Sequence, residues 1–155
     1  MSDVEDEDRT TAVGLFNYAH SYASSAIALE GIKVKATHKR APVYYLYYHA
    51  IELYLKSYLR AHSVSAEDLS KKYSHRIRRT TNKAKSFGLV LRDVDEAVID
   101  FMRQTDAVIE SRYIVTGYKP GMLTFEPLQD TCRYLNDAIR EKAYETVGGT
   151  HRPSL

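Results

Sequence analysis

Between Ala41 and His62 the polar positions follow a single recurrence. Glu52, Lys56 and Arg60 repeat every four residues, with Tyr45, His49 and Ser63 beside them. At 100° per residue these positions share an arc of only about 80°. The rest of the surface is apolar or aromatic and includes Tyr44, Tyr47, Ile51, Tyr54, Leu55 and Tyr58. The stretch has no glycine, and Pro42 suits a first helical turn, where its missing N–H costs nothing. A helix this apolar is either the centre of a bundle or is covered by a second chain. Its six tyrosines suit the margins of such a helix, because the ring buries area while the hydroxyl finds a partner at the edge.

Four further helical segments are predicted. Thr10 to Leu29 places Phe16, Ala19, Ala23 and Ile27 at helical spacing and closes at Gly31. Ser74 is the expected cap of a segment running through Ile77 and Ala84 to Gly88. Asp93 opens a helix whose apolar face is Val94, Val98, Phe101, Met102, Val108 and Ile109. Thr124 opens the last, on which Leu128, Cys132, Leu135, Ile139 and Ala143 recur in threes and fours. Strand-like alternation is confined to Tyr113–Thr116, and there is no internal repeat. Short connections make sequential helices neighbours. The expectation is an all-α, antiparallel up-and-down bundle of four to five helices over residues 10–147, with the acidic residues 1–9 and residues 148–155 as disordered tails.

A chain of 155 residues holds one domain with one core. It has no run of eighteen apolar residues and no charged-then-apolar leader, so neither a membrane span nor a signal peptide is expected, and a cytoplasmic location is. The lone Cys132 excludes an internal disulfide framework and falls on a core stripe, as a buried hydrophobe rather than a nucleophile. No second cysteine or carboxylate stands at ligand spacing from His75, so neither a metal nor a cofactor is expected.

Net charge is only +2, but the charges are segregated. Lys71 to Arg92 carries eight Lys or Arg and no acid, while Asp93 to Glu110 carries six acids against the single Arg103. Such segregation bears on partners.

Three motifs in order carry a family resemblance. The segment HAIELYLKSYL (His49–Leu59) resembles the central helix of HEPN domains, with its Glu-x-x-x-Lys followed by a leucine. YSHRI (Tyr73–Ile77) is similar to the short histidine motif opening the next long helix of that family, and SRYIVTG (Ser111–Gly117) to the Arg-Tyr segment of the subgroup that accompanies nucleotidyltransferases. The resemblance implies a helical homodimer that binds a nucleotide or RNA and supports a partner enzyme, a nucleotidyltransferase. Many members are metal-independent ribonucleases with an Arg-x4–6-His motif. Here Gly117, Tyr118 and Lys119 stand where the histidine should follow Arg112, and no other arginine has a histidine at that distance. Catalysis is therefore not the leading expectation.

The candidate ligand-binding residues are Arg112 and Tyr113, as phosphate fork and stacking ring; His75, at an expected helix N-terminus; Arg76, Arg79 and Lys83, on one helix face; and Glu52 with Lys56, one turn apart on the narrow polar arc. Arg112, Tyr113, His75 and Arg76 are expected at one pole of the bundle. The same residues also fit an interaction protein without a small ligand, and less well a ribonuclease of another design.

Overall fold

The computed structural model describes residues 9–110, 124–147 and 152–155, excluding the side chains of 105–110. The described residues form six helices and no strand: α1 (Ala12–Glu30), α2 (Ala41–Ala61), α3 (Ala66–Lys71), α4 (Ile77–Ser86), α5 (Asp93–Glu110) and α6 (Phe125–Ala143). The architecture is an all-α bundle, with α2 packed against α1, α6, α4 and the short α3.

The buried side of α2 is the one its pattern specifies: Tyr47, Ile51, Tyr54 and Leu55 are inaccessible to solvent, and Tyr58 is nearly so. Three of these phenols each reach a different neighbour. The Tyr47 hydroxyl donates to Glu30 at the end of α1. Tyr54 accepts from Asn136 Nδ2 of α6 at 2.9 Å, and Tyr58 donates to the Phe87 carbonyl just past α4 at 3.1 Å. A buried hydroxyl without a partner costs about 1–3 kcal/mol, so each bond removes a penalty while the ring fills the core. Burial pushes the Tyr54 hydroxyl pKa above its ordinary value; burial and the hydrogen bond to Glu30 do the same for Tyr47. Phe16 of α1 meets Tyr54 edge-on at 5.5 Å and Tyr144 at 5.8 Å.

These pairings also set directions. Ala12 lies beside Ser57, while Glu30 lies beside Tyr47, so α1 and α2 are antiparallel. Phe125 packs near Tyr44, while Asn136 meets Tyr54, so α6 runs the same way as α2. Arg78 pairs with Asp100, and Lys85 with Glu96, so α4 and α5 are antiparallel. The covering that the sequence could assign to a second chain is supplied within this one by α1, α4 and α6.

Several local expectations are corrected. Helix α3 was not foreseen: Ser65 caps it by accepting from Asp68 N at 3.0 Å. Ser74 caps nothing. Helix α4 starts at Ile77 behind Arg76, which makes no side-chain cap bond, because His75 adopts a left-handed φ of 55° and breaks the chain there. The Thr80 hydroxyl holds this turn through the Tyr73 and Arg76 carbonyls. Gly88, at φ 102°, closes α4 as expected, in backbone space that suits a residue without Cβ. Ser63, placed on the α2 arc, lies past the helix end with φ 68°. Residues 152–155, expected in a loose tail, return to the bundle: His20 Nε2 donates to the Ser154 carbonyl at 3.0 Å, Arg152 pairs with Glu141, and Leu155 packs against the core. The expectations for residues 1–8, 111–123 and 148–151 lie outside the described residues, as do Val108 and Ile109 as core side chains.

The basic and acidic blocks meet within the chain. Arg78 bridges Glu96 and Asp100, Lys85 reaches Glu96, and Arg92 clamps Asp95 at 2.8 Å and Asp130 at 3.1 Å. Asp95 is fully buried yet well supplied, accepting from Arg92 N and Nε at 2.9 Å each and from the Thr131 hydroxyl at 2.9 Å. Arg92 also lies over the Tyr134 ring at 4.2 Å. This network pins the start of α5 to α6.

Candidate functional site

The polar arc of α2 faces the turn between α3 and α4. Glu52 Oε1 takes the Lys56 ammonium at 2.8 Å, with both side chains 16% exposed. The same oxygen accepts the backbone N–H of His75 at 3.3 Å. His75, with its left-handed φ of 55°, sits in the turn from which this N–H crosses to α2. The N–H expected to meet a ligand anion is thus already engaged by the protein's own carboxylate.

One turn before Glu52, His49 completes the notch. Its imidazole stacks on Tyr45, 5.9 Å away at 13°, and receives the Tyr22 ring of α1 edge-on at 4.4 Å. Burial lowers the His49 pKa, and Lys56 and His75 lower it further, against the upward pull of Glu52, so the neutral imidazole is favoured. For Glu52, burial alone would raise the pKa. The Lys56 charge and hydrogen bond, with the His75 N–H, more than offset it and hold the carboxylate below its ordinary range. At neutral pH the notch therefore holds a carboxylate, an ammonium, an uncharged imidazole and a second histidine. It offers donors, an acceptor and ring faces side by side.

Of the residues expected to bind a ligand, Glu52, Lys56 and His75 come together. Arg76 follows His75 directly and is exposed. Arg79 lies over the Tyr73 ring at 5.8 Å, and Lys83 over Phe87 at 4.9 Å, towards the far end of α4, where Phe87 also stacks on His62 at 4.7 Å. Lys83 is therefore not part of the notch. Arg112 and Tyr113 lie outside the described residues. Arg60, third on the polar stripe, is structural: its Nε donates to the Thr10 carbonyl at 2.8 Å and holds the start of α1.

His49, Tyr45 and Tyr22 were not singled out from sequence. A signal existed for the first two, which share the polar arc of Glu52. Tyr22 comes from another helix and had none. Among the described residues no three His, Cys, Asp or Glu side chains group as a metal site requires, and no described helix is long and apolar enough to cross a membrane. No family model matches the chain, and no curated protein or solved structure does so either.

Proposed function

We propose that this chain is a HEPN-type binding module for a nucleotide or RNA, cytoplasmic, acting as a homodimer and supporting a partner enzyme such as a nucleotidyltransferase. The observation that carries the binding reading is a residue of uncompensated charge. Of the eight cations between Lys71 and Arg92, Lys71, Lys72, Arg78, Lys85 and Arg92 pair with acids of the chain. Arg76, Arg79 and Lys83 form no ion pair among the described residues; Arg79 and Lys83, one turn apart, lie within about 40° on α4, and Arg76 precedes the helix directly. A row of cations beside a notch rich in donors and rings suits a phosphate backbone.

Filter binding with a short RNA at two salt concentrations tests this. Binding should weaken steeply with salt, and replacing Arg76, Arg79 and Lys83 together by Gln should reduce the slope of log K against log salt by about 2, at about 0.7 per phosphate contact on a single strand. No binding, or binding indifferent to salt, would favour a protein interaction module instead. Sedimentation equilibrium at tens of micromolar checks the dimer.

One observation favours a second reading. His49 and His75 flank the Glu52–Lys56 pair, so the notch sets a neutral imidazole that can accept a proton near the Lys56 ammonium, a base and a cation of the kind metal-independent RNA cleavage uses. Labelled RNA incubated in EDTA should then yield fragments that disappear with His49→Gln.

A further inference from the structure

Tyr45 departs from the pattern of its helix. Among the six tyrosines of α2, five are buried, whereas Tyr45 is 52% exposed. Its ring is not loose. It lies nearly parallel to His49 one turn on, and His49 is itself held edge-on by Tyr22. Two near-parallel rings backed by a third form a rigid shelf open to water on its outer face. Tyr18, one turn before Tyr22 on α1, is 66% exposed and adds further ring surface.

The shelf is continuous with the polar notch. Tyr45, His49, Glu52 and Lys56 follow one another along a single stripe of α2, about 16.5 Å over roughly eleven steps of 1.5 Å. The His75 turn and the exposed Arg76 adjoin the Glu52 end. Rings therefore lie at one end and cations at the other, with a carboxylate between. Glu52 repels a phosphate, so a ligand crossing this point would present a sugar hydroxyl or a base amine to it rather than its backbone.

From this arrangement we infer that the site takes single-stranded RNA, with an unpaired base stacked on Tyr45 and the neighbouring phosphates on Arg76 and Arg79. This rests on the nucleic-acid reading above and narrows it. A duplex hides its base faces in its own stack and cannot use the shelf. A mononucleotide is too short to cover both Tyr45 and the far end of the stripe, so at least two nucleotides are engaged. Stacking on an exposed aromatic is tolerant of base identity, so little sequence preference is expected.

The test is fluorescence anisotropy on the full-length chain, with a labelled ten-nucleotide RNA, the same RNA annealed to its complement, the DNA of the same sequence, and inorganic polyphosphate as competitor. The single-stranded RNA should bind at least about tenfold tighter than the duplex, and polyphosphate should compete poorly. Tyr45→Leu should weaken single-strand binding by about 5- to 150-fold, the worth of one stacked base, with an unchanged salt slope. Tyr45→Phe should stay within about threefold. Arg76→Gln with Arg79→Gln should change the slope instead. Because Tyr45 is exposed, both Tyr45 variants should keep the wild-type circular dichroism spectrum and melting temperature. Equal binding of duplex and single strand, or full affinity in Tyr45→Leu, would overturn the stacking inference and leave phosphate binding standing. DNA binding as tight as RNA would overturn the preference for the ribose. Absence of binding by every nucleic acid would defeat the nucleic-acid reading itself.

Discussion

Glu52→Gln is the most direct test of the notch, because one oxygen of Glu52 serves both α2 and the turn before α4. In the wild type Oε1 meets Lys56 Nζ at 2.8 Å and His75 N at 3.3 Å. Glutamine retains a neutral acceptor for the His75 N–H but removes the charge opposite an ammonium that is only 16% exposed. An exposed ion pair contributes about 0–1 kcal/mol, and stripping one partner from a fully buried pair costs about 3–5 kcal/mol. The geometry here lies between, so a loss of about 2 kcal/mol is expected. For a chain of this size that lowers the melting temperature by about 4–8 °C. The pH dependence has a definite sign. The Glu52 pKa is depressed in the fold, so its contribution is present above the ordinary value of 4.5 and is lost as pH falls through the folded value. The gap between wild type and Glu52→Gln should therefore close in acid. Histidine NMR gives an independent readout. His49 titrates below 6.5 because burial disfavours its charge, and Glu52 is the group pulling it back up, so the variant should titrate lower still. A double-mutant cycle with Lys56→Met isolates the pair from the His75 bond. A melting temperature within about 1 °C of wild type at neutral pH, a gap that persists to strong acid, or a His49 pKa that rises would refute the reasoning.

Three other outcomes follow from the core. Leu55→Ala empties a fully buried site at the centre of the bundle and should cost about 2–5 kcal/mol, read from the urea midpoint; a cost under about 1 kcal/mol would mean that α2 is not central. Asp95→Ala removes the acceptor of three Arg92 nitrogens and the Thr131 hydroxyl from a fully buried position and should cost about 3–5 kcal/mol, whereas Asp93→Ala, on the exposed side of the same turn, should stay within about 0.5 kcal/mol. Cys132 is fully buried, and burial raises its thiol pKa, so a thiol reagent should label it only in denaturant; stoichiometric labelling of the native protein would contradict that placement.

The sequence by itself determined the helices and most of the core. A long apolar stripe at 3.6-residue spacing can be buried only against neighbours, so α2, α6 and their inward faces were legible from the order of residues alone: Leu128, Cys132, Leu135 and Ile139 are all fully buried. Gly31 and Gly88 both marked helix ends, although only Gly88, at φ 102°, occupies backbone space that little else suits; Gly31 keeps a right-handed φ of -85°. Helix α3 escaped because a six-residue segment shows less than two turns of any period. The start of α4 was misplaced because a serine before a helical pattern signals a cap only if the chain turns there, and the left-handed His75 moved that point two residues on. Charge segregation was visible, but its meaning depended on the register between helices. Whether Arg78 and Lys85 stay free or find Glu96 and Asp100 is decided by how α4 and α5 lie against each other, and whether Arg92 reaches Asp130 by how the start of α5 lies against α6. The site divides in the same way. Glu52, Lys56 and His49 share a stripe that helical geometry alone predicts. Tyr22 and the His75 N–H arrive from other parts of the chain, and only tertiary packing could bring them to it, because nothing in a local pattern encodes which distant residue will lie across the gap.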